Sequence, residues 1–152
     1  MKSLFVFCFL LPLLAGAQLV VKKEYPRVVV GRITPGGVFG AELSYYVREE
    51  GDTICHLSYR NEQYPKVADL QSVSFNNEGR SMEKLYQIIK SVFAAENRDN
   101  KEYHVSIKLG EDDVSINNYR QLAFTYAWVG VRSKGFFIIG EDRLEKLFGK
   151  TK

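Results

Sequence analysis

Two histidines, two cysteines and eighteen acidic residues are the material this 152-residue chain offers for chemistry. Their spacing decides how little of it can cooperate. Cys55 and His56 are neighbours in an alternating segment. Their side chains therefore point to opposite faces of a strand and cannot close on one metal ion. A zinc site would have to bring His56 and His104 together with a carboxylate, and exposed strand histidines are the simpler reading. A Cys55–His104 nucleophile pair meets the same objection, since Cys55 falls on an apolar register and His104 on a polar one. The acidic turns Glu49-Glu50-Gly51-Asp52 and Gly110-Glu111-Asp112-Asp113 offer oxygen ligands, but neither has the twelve-residue ligand spacing of a calcium loop. They read as solvated turn formers.

Other chemical signatures are missing. No Gly-x-Ser-x-Gly elbow occurs. The glycine-rich stretch Gly31-Arg32-Ile33-Thr34-Pro35-Gly36-Gly37 lacks the Gly-Lys-Ser/Thr of a phosphate loop, and Pro35-Gly36-Gly37 reads as a turn. No two carboxylates can be paired for acid–base work, because every Asp and Glu falls in a turn or on a polar face. The expected catalytic, cofactor-binding and metal-binding residues are therefore none, and no cofactor is expected. What remains is a cluster of aromatic and basic side chains, Tyr46, Tyr59, Arg60 and Tyr64, with Tyr45 beside them. Acidic Glu49 and Glu50 dilute it as a nucleic-acid patch. It suits a protein or a cell-surface ligand better, and Tyr46, a large ring on the polar register of its strand, is the first expected contact.

The elements that must position these residues follow from periodicity. Phe39, Ala41, Leu43, Tyr45 and Val47 alternate with Glu42, Ser44, Tyr46 and Arg48. Cys55, Leu57 and Tyr59 alternate with His56, Ser58 and Arg60, so the two runs form a β-hairpin. A third strand is expected at Asp69–Phe75. Met82, Leu85, Ile88, Ile89, Val92 and Phe93 then make one apolar stripe with a period near 3.6, an amphipathic helix with Ser81 as its N-cap. A second hairpin alternates Tyr103, Val105, Ile107 and Leu109 with His104, Ser106 and Lys108, turns at 110–113 and returns through Val114 and Ile116. A strand from Leu122 to Val131 carries Leu122, Phe124, Tyr126 and Trp128 on one face and Ala123, Thr125, Ala127 and Val129 on the other. Phe136–Ile139 pairs with it. Leu144, Leu147 and Phe148, with Gly149 after them, form a short closing helix. The order predicts an α+β fold: a mainly antiparallel sheet of about seven or eight strands, one long amphipathic helix packed on it and a short C-terminal helix.

The N-terminus sets the compartment. Met1-Lys2-Ser3 is a short basic start, Leu4 to Leu14 is an apolar run too short for the roughly 20 residues of a membrane span, and Ala15-Gly16-Ala17 suits signal cleavage before Gln18. Residues 1–17 are expected to be a signal peptide, 18–38 a lead-in and 39–152 a single domain. Cleavage removes Lys2 from a formal charge of +3 and removes Cys8, leaving Cys55 without an intramolecular disulfide partner. The small positive excess names no anionic partner. The chain contains no Asn-x-Ser/Thr sequon, and nine Tyr and ten Phe suit strands. The reading that follows is an exported, periplasmic or secreted bacterial protein without membrane insertion after cleavage, a non-enzymatic binding module with a protein or cell-surface ligand and no nucleic acid. A small envelope hydrolase using carboxylates and a small-molecule carrier with an apolar cavity are the alternatives.

Overall fold

The computed structural model describes residues 24–151. The expected signal peptide lies outside the described residues. Among the described residues eight strands form, and every pairing is antiparallel, but they make two four-stranded sheets. Sheet A runs β1 (Val28–Ile33), β2 (Ala41–Val47), β3 (Thr53–Arg60) and β4 (Leu70–Asn76). Sheet B runs β5 (His104–Leu109), β6 (Asp112–Gln121), β7 (Phe124–Val131) and β8 (Gly135–Ile139). The helix α1 (Ser81–Lys90), a 3₁₀ turn at Ser91–Phe93 and a one-turn helix α2 (Ala95–Arg98) separate the sheets in sequence, and α3 (Glu141–Leu147) closes the chain.

The expected lead-in supplies a full edge strand. Val28–Ile33 pairs with β2, and a bulge between Val29 and Gly31 shifts its register. A side chain at Gly31 would meet the carbonyl oxygen of Lys146 at 2.2 Å, so glycine lets the end of α3 lie directly on β1.

Both sheets turn their apolar register into one core. Sheet A contributes Leu43, Cys55, Leu57, Tyr59, Val73 and Phe75; sheet B contributes Val114, Ile116, Ala127, Val129, Phe137 and Ile139. The Tyr59 and Phe137 rings meet across the two sheets with centroids 4.9 Å apart. The α1 stripe buries Leu85, Tyr86 and Ile89, and the 3₁₀ turn that follows buries Val92 and Phe93. Each large side chain so buried contributes about 1.5–3 kcal/mol before entropy. The cap of α1 differs from expectation. Asn77 Oδ1 accepts the Met82 N–H at 2.9 Å, while the Ser81 hydroxyl donates to the Glu78 carbonyl at 2.6 Å. Asn77 therefore satisfies one of the first-turn donors, and the chain enters the helix through Arg80 in a left-handed conformation.

The β6–β7 hairpin is longer than its sequence pattern predicts. Asp112–Gln121 is one continuous strand, and Gln121 pairs with Phe124, leaving Leu122-Ala123 as a two-residue turn. Leu122, expected inside a strand, sits at φ +56° and is 89% exposed.

The free edge of β8 is closed by the segment after β3. The Glu62 N–H donates to the Phe136 carbonyl at 2.8 Å, and Asn61 Oδ1 accepts the Phe136 N–H at 3.2 Å. Glu62 Oε1 accepts the Ile138 N–H at 3.1 Å. These bonds cover backbone groups that an open edge would present to another chain. They also fix the strand that carries Phe136.

Candidate functional site: the outer faces of the two sheets

The outward register of sheet A is polar at its centre, where its groups bond one another, with Val29 and Leu70 exposed on its two edge strands. Glu42, expected on a solvated face, is only 3% exposed. Arg27 Nη2 reaches its carboxylate at 2.5 Å, Arg32 binds the other oxygen, and Arg27 Nε donates to Ser44 Oγ at 2.7 Å. A buried carboxylate holds its charge only when opposed in this way. Further along the face, Tyr46 is stacked between Tyr25 and His56, with centroids 5.6 Å and 5.3 Å away. Ser74 Oγ lies 2.7 Å from His56 Nδ1. Burial, assisted by the Arg27 charge, lowers the His56 pKa and favours a neutral ring.

The four aromatic and basic residues singled out in the sequence do not converge. Tyr59 is a correction: it is 0% exposed in the core, its hydroxyl bonded to the Lys134 carbonyl at 3.2 Å, and it is withdrawn from any surface contact. Its register with Cys55 and Leu57 already placed it on the inner face. Tyr46 and Arg60 lie at opposite ends of the sheet A face; they are six strand positions apart once Tyr46 is mapped onto its partner Ile54, about 20 Å. Arg60 donates to the Pro65 carbonyl at 2.7 Å. Tyr64 is 53% exposed and lines a groove shared with sheet B. Cys55 is buried, and burial pushes its thiol up to about 11, so it is an inert thiol at neutral pH. His104 stands on the outer face of sheet B, far from a Cys55 side chain that faces the core.

Sheet B presents a different outer surface. Its rungs, read from the hairpin tip, are Gln121–Phe124, then Tyr119–Tyr126, then His104–Asn117–Trp128–Ile138, then Ser106–Ser115–Gly130–Phe136. Phe124, Tyr126 and Trp128 therefore form a row on alternate residues of one strand. The inner register of β7 holds only Ala127, Val129 and Val131 in its buried part. Trp128 lies across Gly130: three atoms of its six-membered ring fall 2.1–3.0 Å from where a glycine Cβ would stand. Glycine is thus the floor on which the indole rests. The Phe136 ring stands beside it, centroids 5.3 Å apart and planes inclined by 32°.

Two shallow grooves flank this pair of rings. One, of about 510 Å³, is lined by Gln63, Tyr64, Asp69, Gln71, Trp128 and Phe136 among others. The second, of about 500 Å³, is lined by Ser106, Ser115, Trp128, Gly130 and Arg132 among others. Asp69 is held on both oxygens, by Asn61 Nδ2 at 2.8 Å and Gln71 Nε2 at 2.6 Å. The cations nearby are each paired with a carboxylate, two of them sharing one. Lys108 and Arg132 both meet Asp113, at 3.1 Å and 3.3 Å, and Lys134 meets Asp112 at 2.8 Å.

One further constellation escaped the sequence reading. His104 Nδ1 lies 2.5 Å from Asn117 Oδ1, and His104 Nε2 lies 2.7 Å from Ser106 Oγ. The order is hydroxyl, imidazole, orienting amide, as in a general-base relay. The signal was available: His104 and Ser106 are i and i+2 on one strand, and only the unknown pairing partner Asn117 was needed. Transition-state stabilisation needs donors converging on an oxyanion, and the side-chain cations lining this groove are committed to Asp113.

No protein-family model matches the chain, and neither a curated protein nor a solved structure matches it. The fold and its surfaces therefore define the class: a two-sheet antiparallel α+β domain with an aromatic outer face on one sheet. Among the described residues, no helix is long and apolar enough to cross a membrane, and no group of three or more His, Cys, Asp or Glu side chains is placed to hold a metal ion.

Proposed function

We propose that the protein is an exported, non-enzymatic binding module that meets a protein or cell-surface ligand through the outer face of sheet B. The observation that carries this reading is the inverted partition of β7, with large rings on the solvent side and Ala127 and Val129 in the core. Rings cost little conformational entropy to hold and bury a large area on contact. The binding surface thus moves from the Tyr46 region to Trp128, with Tyr64 retained at its rim. Trp128 is the only tryptophan in the chain, so its emission reports occupancy of this face directly. The test is a titration of the purified protein with envelope material from the cells that make it. The expected result is a saturable change in Trp128 emission and co-sedimentation that Phe136→Ala weakens and Tyr46→Ala leaves intact. Equal loss in both variants, or no change at all, overturns it. Export is tested separately, by N-terminal sequencing of the native protein, which is expected to begin at Gln18.

A second reading, a small hydrolase, is favoured by the Ser106–His104–Asn117 relay rather than by paired carboxylates. Turnover of a chromogenic acetyl ester that Ser106→Ala and His104→Ala both abolish without unfolding would establish it. Turnover unaffected by both variants removes it. The carrier reading draws no support from the grooves beside Trp128, which are open and mixed in lining.

A further inference from the structure

We infer that the Trp128–Phe136 platform is a binding site for neutral glycans, an inference that rests on the sheet B face being the contact surface. The chemistry of what surrounds the rings carries it. A pyranose ring is amphipathic: one face presents C–H groups that stack on an aromatic plane, and its rim presents hydroxyls that both donate and accept. The platform supplies the plane, with the indole lying on Gly130 and Phe136 inclined beside it. The rest of the outer face supplies uncharged groups of mixed hydrogen-bonding sense: Ser106, Ser115, Asn117 and Gln121 on the strands, and Gln63 and Gln71 in the groove beside Tyr64.

Asp69 adds a fixed acceptor. Asn61 and Gln71 each donate to a different oxygen of its carboxylate. Each oxygen keeps a second lone pair free of those two bonds, and a hydroxyl can donate to it without reordering the side chain. Local charge argues for a neutral ligand. Taken over both grooves, the three cations Lys108, Arg132 and Lys134 are balanced by three carboxylates, Asp112, Asp113 and Asp69, so the surface as a whole offers no net charge to a phosphate backbone or an anionic lipid. A purely apolar protein partner would desolvate the remaining lone pairs of Asp69 and the polar side chains around it without supplying partners, which is costly. Sugar hydroxyls satisfy them. Phe124 and Tyr126 continue the row along β7 at alternate positions, about 6.6 Å apart, so several linked sugar residues can lie along the strand.

The experiment is native affinity electrophoresis of the mature protein in gels containing xylan, mannan, hydroxyethyl cellulose or laminarin. It is followed by titration of Trp128 emission with oligosaccharides of the polymer that retards migration. Retardation by at least one polymer is expected, and the affinity read from retardation against polymer concentration is lowered about tenfold or more in Trp128→Ala, partly restored in Trp128→Phe, and lowered in Asp69→Asn. Circular dichroism and thermal melting confirm that each variant is folded, and Phe136→Ala serves as the platform variant if Trp128→Ala is not. Migration unchanged by all four polymers, or retardation that no platform variant alters, overturns the glycan assignment. The broader reading is separated by treating one envelope preparation with periodate and another with protease. Emission changes lost only after periodate support the glycan. Changes lost only after protease refute it and leave the binding module standing. No response to untreated envelope defeats the module reading itself.

Discussion

Sheets A and B are built alike and finished differently. Each has four antiparallel strands and gives one register to a shared core. The outward register of sheet A buries a carboxylate between two guanidiniums and stacks Tyr25, Tyr46 and His56 on each other. Its groups satisfy one another. The outward register of sheet B leaves Phe124 64% exposed and sets Trp128 and Phe136 side by side over a glycine. The reason lies beneath it. The Ser91–Phe93 turn packs on β7 and brings Val92 and Phe93 into the core, so the helix side supplies the bulk and β7 needs only small residues inward. A period of two therefore says which residues share a face. Which face is inner depends on what else has already filled the space.

Three substitutions test that contrast, from the largest effect down. Leu57→Ala, on the inner face of sheet A and 1% exposed, is expected to cost about 2–5 kcal/mol in chemical denaturation. Glu42→Gln, on the outer face of the same sheet, removes the charge that opposes Arg27 and Arg32. It is expected to cost about 1–3 kcal/mol, because those arginines remain half exposed and rehydrate. Trp128→Ala, on the outer face of sheet B, is expected to cost about 1 kcal/mol while weakening binding about tenfold or more. If Trp128→Ala matched Leu57→Ala in denaturation midpoint, the ring would be a core residue and the distinction between the two outer faces would fail.

Much of the architecture was legible from the chain alone. The alternation of Leu43, Leu57, Val105 and Ile116 gave strands and their inner faces, and the spacing of Leu85, Ile89 and Val92 gave the helix. The short closing helix follows from Leu144, Leu147 and Gly149, the last at φ +64°. Two sheets instead of one were not legible, since strand pairing across α1 depends on contacts far apart in sequence. Glu42 looked like a solvated residue because its burial is created by Arg32 of the strand that pairs beside it and by Arg27 just before that strand. The Ser106–His104–Asn117 relay and the Trp128–Phe136 platform both needed the register of a partner strand. Leu122 was misread because an apolar residue continues an apolar alternation, whereas the backbone turns there.

That turn yields a smaller test, and one that sharpens the picture of sheet B. A branched residue in the left-handed region carries strain of about 1 kcal/mol that glycine does not. Leu122 is almost fully exposed, so its side chain repays none of this through packing. Leu122→Gly is expected to raise stability by about 0.5–1 kcal/mol in denaturant titrations. A loss of stability would mean that the leucine makes a contact which the folded monomer relies on. A gain accompanied by weaker envelope binding would place the tip within the contact surface.

The smallest expected effect belongs to the outer face of sheet A and depends on pH. Burial and Arg27 lower the His56 pKa from its ordinary 6.5 in the folded protein. The unfolded chain therefore binds a proton more readily than the folded one. The contribution of His56 to stability is complete above pH 6.5 and is lost as pH falls from there through the lowered folded value. His56→Gln keeps a group able to hydrogen-bond Ser74 but cannot titrate. The variant is expected to flatten the dependence of the unfolding free energy on pH just below 6.5 while leaving the neutral-pH value nearly unchanged. A wild-type protein that grows more stable as pH falls through this window would show that the ring gains a proton on folding. The Tyr25–Tyr46–His56 stack would then be a cation held by aromatic faces, and sheet A, not sheet B, would carry the outer surface with unspent electrostatic potential.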